Sequence, residues 1–181
     1  MKIAVFIDGS NLYSKFKELK IKNTSRFNFL KFILKLTKGI SPSYIGYYVG
    51  QIRREKNNDK SEALYKNQQK FFTHLKSTLP NIQIVRGHIQ NFNEIYKEKG
   101  VDVRLALDIY KLANEKIYQK ALLVSSDTDL IPAIRLVKQM KKQIEYIGFS
   151  HHPSLAMVKE CSSSLLMNHD DMKVFENNEM P

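Results

Sequence analysis

One cysteine, Cys161, is the whole complement of a 181-residue chain. No disulfide can close within the molecule, which fits a reducing compartment, and a cytoplasmic location is the expectation. No apolar run approaches the ~18 residues that read as a membrane-spanning helix, so no membrane partner is expected. The start, MKIAVFID, carries one Lys and then five apolar residues before Asp8, too few for the apolar core of a secretion signal. No internal repeat, low-complexity segment or shift of composition marks a boundary. One domain over residues 1–175 is expected, followed by a frayed tail at 176–181. No G-x-G-x-x-G follows a strand, which argues against a dinucleotide-binding enzyme. Acid is scarce beside base: 18 Asp and Glu face 29 Lys and Arg, a net charge of +11. Such an excess attracts polyanions. A Lys-rich surface alone gives the same figure, so the charge indicates nucleic acid only where a site accompanies it.

What is present is an alternation of apolar strands and helical patterns. Strands are predicted over 2–8, 43–50, 82–89, 120–126 and 143–149. Helices are predicted over 27–36, 61–79, 101–115 and 130–142, the last tolerating Pro132 in its first turn. A short helix and a last strand follow within 153–168. Residues 51–61, strongly basic, and 89–100, polar with scattered aromatics, read as loops. This order predicts an α/β fold, a mainly parallel central sheet covered by helices. Right-handed crossovers would then bring the carboxyl ends of the strands to one edge, where ligands of such folds sit.

Several acids fall on that edge. Asp8 ends the first strand in VFIDGSNLY. Asp127 and Asp129 follow the strand of 120–126 in SSDTD. Asp102 lies in the first turn of the helix over 101–115. Along that helix Asp102 shares a stripe with Ala106, Ile109 and Ala113, and Asp108 shares one with Val101, Leu105 and Leu112, so both flank an apolar face. Carboxylates there lose hydration and repel one another, and a divalent cation resolves both problems. Oxygen donors without a Cys or His pattern point to Mg²⁺ or Mn²⁺. A carboxylate-held metal on a basic protein suggests phosphodiester chemistry. Asn11, Ser10 and Ser126 could orient water, ligands or phosphate. Each acid also has a plainer role: Asp8 as an Asx turn or helix cap, Asp102 and Asp129 as N-caps, and Asp108 as a partner of backbone or Lys. His88, His151 and His152 lack metal-ligand spacing and read as structural or surface residues.

Three blocks, VFIDGSNLY, KGVDVRLALDIYKLA and ALLVSSDTDLIPAI, together resemble the signature blocks of NYN-domain proteins, the LabA-like branch of the PIN-like nuclease superfamily. They come in the family's order and span residues 5–134. The resemblance implies a PIN-like (Rossmann-like) three-layer α/β/α sandwich and a Mg²⁺- or Mn²⁺-dependent ribonuclease. It matches Asp8, Asn11, Asp102, Asp108, Asp127 and Asp129 to the family's site positions. Ser126 departs from it, standing where the third block often has Gly.

On this reading Asp8, Asn11, Asp102 and Asp127 are the catalytic candidates, and Asp8, Asp102 and Asp127 contact the metal. Asp129 and Asp108 are further ligands or lie behind the first. Ser10, Arg53, Arg54, Lys99, Arg104 and Ser126 are the candidate nucleic-acid contacts, and Tyr13, Tyr47 and Tyr48 could stack on bases, although adjacency in a strand puts at least one of Tyr47 and Tyr48 on a packed face. RNA is the expected partner, and a homodimer stays open. Two rivals remain. One is an RNA-binding module of the same fold with an idle metal site. The other is a haloacid-dehalogenase-like phosphatase, whose last acidic block SSDTD resembles. That chemistry needs Asp-x-Asp after the first strand, and position 10 is Ser.

The basic loop yields a direct test. Changing Arg53, Arg54 and Lys56 together to Glu is expected to weaken RNA binding. It should also flatten the plot of log K against log salt by roughly 0.7–0.9 for each phosphate that the protein no longer neutralises. An unchanged slope in filter-binding titrations would remove the 51–61 loop from the RNA surface.

Overall fold

A computed structural model describes residues 1–21, 24, 27–52, 58–92 and 95–176. The first strand, β1 (Ile3–Asp8), is buried along its whole length. It leads directly into α1 (Gly9–Glu18). The chain continues through α2 (Phe29–Leu36), β2 (Tyr44–Val49), α3 (Asp59–Thr78) and β3 (Ile82–Arg86). A hairpin, β4 (His88–Phe92) and β5 (Ile95–Lys99), precedes α4 (Val101–Asn114) and β6 (Lys120–Val124). After one 3-10 turn (Thr128–Leu130) come α5 (Ile131–Gln139), β7 (Gln143–Phe149), α6 (Leu155–Glu160), β8 (Ser163–Met167) and α7 (His169–Lys173).

Six strands form one sheet in the order β3-β2-β1-β6-β7-β8. Every pairing in it is parallel. The chain therefore builds outward from β1 in one direction, returns to β6 on the other side, and builds outward again. Loops leaving β1 and β6 diverge to opposite faces and leave a crevice at the carboxyl edge between them, the place where open α/β sheets take their ligands.

Alternate residues of the central strands supply two cores. Val5, Ile7, Leu122 and Val124 pack with Leu12 and Phe16 of α1, Phe32 and Ile33 of α2, and Phe72 and Leu75 of α3. Phe6, Ala121 and Leu123 pack on the other face with Leu105 and Ile109 of α4 and Ile134 and Val137 of α5. The result is a three-layer α/β/α sandwich. Fully burying one such large apolar side chain contributes about 1.5–3 kcal/mol. On the first face Phe27 sits amid Phe16, Phe29, Phe32 and Phe175, with ring centroids 4.7 to 5.7 Å away.

Three elements differ from the sequence expectation. Residues 9–18 form a full helix although only Gly9, Leu12 and Phe16 are buried in it; the sparse apolar stripe hides it among lysines. The strand predicted to reach residue 89 stops at Arg86, and the segment read as a loop pairs antiparallel, from His88↔Lys99 to Phe92↔Ile95. A last helix, α7, begins with a reciprocal capping box between Asn168 and Asp171. The tyrosines also correct an expectation. Tyr47 and Tyr48 are both buried, one in each core, so neither is open to stack on a base. Tyr13 is exposed, with the Lys17 ammonium 4.5 Å from its ring centroid.

Tyr47 fixes its neighbour across the strand pair. A Cβ added to Gly9 would lie 2.6 Å from Tyr47 Cε1, and Tyr47 is only 5% exposed, so its ring has nowhere to retreat. Gly9→Ala is expected to cost ~1–3 kcal/mol, the usual range for an overpacked core. Urea unfolding measures it, and an unchanged midpoint would mean that the ring can move.

Candidate active site

Asp8 stands where β1 becomes α1, and it serves as that helix's N-cap. Its Oδ1 accepts the Asn11 backbone N–H at 2.9 Å, and its Oδ2 accepts the Ser125 hydroxyl at 2.8 Å. The second bond crosses the switch point, joining the β1–α1 junction to the loop after β6. One more contact ties the same two segments, and another closes the loop after β6 on itself. Ser126 N–H donates to Asn11 Oδ1 at 3.2 Å, and Asp127 N–H donates to Ser125 Oγ at 3.1 Å. Asp8 is 4% exposed. Burial pushes its carboxyl above the ordinary value; the Asn11 and Ser125 hydrogen bonds oppose that, and the charges of Asp102 and Asp127 reinforce it.

Asp102 occupies the first turn of α4 but does not cap it; Gly100 holds that position. The helix N-terminus favours a negative charge there. Even so, desolvation first, then the charges of Asp127 and Asp129, raise the Asp102 carboxyl. Asp127, not Asp129, is the capping residue of its turn: its Oδ1 accepts Asp129 N–H at 2.9 Å. Asp8, Asp102, Asp127 and Asp129 thus form one electrostatic group contributed by β1, α4 and the loop after β6. Two of them, Asp8 and Asp127, are also helix caps, so capping and site roles coexist. The oxygen-only donor set and the desolvation of Asp8 and Asp102 suit a hard divalent cation. The four carboxylates are not drawn tight. Among the described residues, the one trio of acidic or histidine groups with ligand atoms all within 4.8 Å is Glu18, His151 and His152.

Asp108 stands apart from that group. Its rank on α4, six residues after Asp102, puts it about 9 Å further along the helix axis. Arg104 Nε lies 3.1 Å from both its oxygens, and the Tyr48 hydroxyl donates to Oδ2 at 3.1 Å. Tyr44 and Tyr48 hydroxyls are 2.9 Å apart. Asp108 is therefore occupied by a cation and a phenol, and Arg104 spends its Nε on it. Ser10 is exposed at the start of α1. Ser126 is engaged in structure, its hydroxyl 2.9 Å from that of Tyr146. Lys99 ends β5 opposite His88. Arg53 and Arg54, with Lys56, lie outside the described residues. Cys161 is buried, which pushes its thiol up to about 11 and leaves it no nucleophilic role.

Two residues that carry the site escaped the sequence reading. Ser125 falls inside the strand predicted over 120–126, and only the pairing of β1 with β6 brings it to Asp8. Tyr146 reads as core, yet its hydroxyl meets Ser126 Oγ and accepts the Ser154 N–H at 3.2 Å. It reaches that far because its ring lies over Gly148, two residues on along the strand; a Cβ there would come within 2.3 Å of the Tyr146 hydroxyl oxygen.

Residues 2–168 match the family model of the NYN domain. The chain belongs to the NYN domain family. NYN domains are PIN-like and generally ribonucleases. This NYN domain also matches the crystal structure of a protein of unknown function from Vibrio parahaemolyticus, with 21% identity, a TM-score of 0.69 and 94% of each chain covered. That likeness shows a shared fold. No curated protein matches the chain. No helix among the described residues is long and apolar enough to cross a membrane.

The raised carboxyls make a stability prediction. Asp8 and Asp102 hold their protons more tightly in the folded state than in the unfolded chain, where 3.8 is the ordinary value. As pH rises above that value toward the raised ones, the folded state takes on charge it disfavours and metal-free stability falls. Asp102→Asn removes one such charge. At neutral pH in EDTA the variant is expected to equal or exceed its parent by up to ~1 kcal/mol, the solvent-screened range for an exposed charge pair. The rise in melting temperature that Mn²⁺ gives the parent should shrink in the variant. Thermal melts of both proteins with EDTA and with Mn²⁺ decide it; an identical Mn²⁺ shift would remove Asp102 from the site.

Proposed function

We propose that this NYN domain is a metal-dependent endoribonuclease of the LabA-like branch, acting in the cytoplasm as a single domain over residues 1–175. The observation that carries the reading is the buried Asp8 carboxylate at the switch point, grouped with Asp102, Asp127 and Asp129 on a chain of net charge +11. Asp8, Asp102 and Asp127 would hold Mg²⁺ or Mn²⁺, with Asp129 as a further ligand. Given their present spacing, at least one reaches the cation through water or after a change of rotamer. The cation would supply Lewis-acid activation of water and of the scissile phosphate.

The protein's own groups do the rest. Asn11, in the first turn of α1, and Ser125, in the loop after β6, hold the Asp8 carboxylate in one orientation. Asn11 Oδ1 and Tyr146 hold Ser126, and through it the backbone that presents Asp127. The terminal nitrogens of Arg104, Ser10 at the N-terminus of α1, Lys99, and Arg53 and Arg54 supply donors and positive charge for phosphates. Tyr13, exposed next to Lys17, offers a ring for one base. Asp108 acts by fixing Arg104, not as a ligand.

The spacing of the four carboxylates favours one second reading, an RNA-binding module that keeps the surface and has lost the chemistry. Cleavage assays on single-stranded and hairpin RNAs separate the two. The nuclease is expected to cut with Mg²⁺ or Mn²⁺, to stop in EDTA, and to leave 5′-phosphate and 3′-hydroxyl ends. Asp127→Asn should reduce the rate by ~100-fold or more while RNA affinity stays within a few-fold. RNA that binds but survives with either metal would establish the binding module. Equal cutting in EDTA, with 2′,3′-cyclic phosphate ends, would overturn the metal mechanism.

A further inference from the structure

The trio of Glu18, His151 and His152 lies outside the aspartate group and is built from two distant parts of the chain. Glu18 is the last residue of α1, and the two histidines lie in the loop that leaves β7. His151 Nε2 is 2.7 Å from Glu18 Oε2, and His152 Nδ1 is 3.5 Å from the same oxygen. The two imidazoles meet edge to face, centroids 5.2 Å apart at 71°, so adjacent residues turn two different nitrogens toward one point. The Phe149 ring, 6.2 Å from that of His151, backs the first of them. Glu18 is anionic at any ordinary pH: hydrogen bonds from Lys15 and then His151 hold its carboxyl down at about 2.

We propose that these three side chains form a second cation site, for a borderline dication of the zinc class. Two imidazoles and one carboxylate are a known donor set for Zn²⁺, and they disfavour Mg²⁺, which seeks oxygen alone. Ligand atoms around a tetrahedral Zn²⁺ with bonds near 2.0–2.1 Å stand ~3.3 Å apart. The present separations of 2.7 and 3.5 Å bracket that figure, so small rotations of exposed side chains suffice. Both imidazoles must present an unprotonated nitrogen to the ion. The ion must also displace the Lys15 ammonium, now 2.9 Å from Glu18 Oε2. Solvent fills the fourth position, because the site is open on its outer side.

The site has a mechanical consequence. It clamps the end of α1 to the loop of residues 150–154. Ser154, in that loop, donates its N–H to Tyr146, and Tyr146 in turn holds Ser126 beside Asp127. A cation at Glu18 therefore braces the outer end of the chain of contacts that positions the aspartate group.

Calorimetric titration with Zn²⁺ tests the site without RNA. An excess of Mg²⁺ is included to compete Zn²⁺ away from the aspartate group. The parent is expected to bind one Zn²⁺. His152→Ala and Glu18→Gln should each weaken that binding by at least ~10-fold, the low end of what even an outer partner of a metal ligand costs. Asp102→Asn should leave it unchanged. His152 is 75% exposed along its side chain, so its loss will not unfold the protein. No Zn²⁺ binding by the parent, undiminished binding in His152→Ala and Glu18→Gln, or loss of binding in Asp102→Asn instead would each overturn the proposal. None of these results bears on whether the domain cuts RNA.

Discussion

The hydrogen bond from Ser125 to Asp8 is the contact on which the rest depends. It is a 2.8 Å bond between residues 117 positions apart, and it spans the one place in the sheet where the chain reverses its order of assembly. A carboxylate buried in a sheet edge is costly unless it is hydrogen-bonded. Here each oxygen takes one donor, and the two donors come from opposite sides of the crevice. The cost is only partly met, which is why the carboxyl stays above its ordinary value. The residual destabilisation is what a cation held there would relieve.

Around that bond the polar groups form a ladder that rises through an otherwise apolar layer. Tyr146 and Tyr48 are both fully buried, yet their hydroxyls emerge at different rungs: Tyr146 at Ser126, Tyr48 at Asp108. A phenol suits this task because its ring fills core volume while its tip keeps a donor and an acceptor. Two carboxylates on one helix thereby reach different states. Asp108 is ion-paired with Arg104 and accepts the Tyr48 hydroxyl. Asp102, nearer the edge, is raised first by desolvation and then by the charges of Asp127 and Asp129. Position along α4 separates a structural acid from a candidate ligand.

Much of this is legible in the sequence, for a physical reason. Parallel strands buried on both faces read as continuous apolar runs, and KIAVFID and KALLV stand out for that reason. Once they are strands of one sheet, handedness puts Asp8 and Asp127 on one edge without knowledge of any contact. What does not read through is set by tertiary partners. Helix α1 has too few buried positions to display a period. The hairpin of 88–99 has a mixed composition that suits a loop equally well. Adjacency puts at least one of Tyr47 and Tyr48 on a packed face; that both are buried follows from the helices that cover each face of the sheet at that point. Glu18 lies 133 residues from His151, so spacing rules for metal ligands could not join them.

The ring of Tyr146 leaning across Gly148 carries a consequence for how such a chain can vary. The glycine is not there to turn the backbone; it is floor space for a ring that must reach the edge. Filling position 148 without shortening position 146 displaces the phenol from Ser126. Shortening position 146 alone leaves a hole above the strand and an orphaned serine. The two positions therefore drift as a unit or not at all, and the same holds for Gly9 with Tyr47 beneath Asp8. Substitution tables that score each site independently will misjudge all four, because the tolerated alphabet at each is set by its partner's volume.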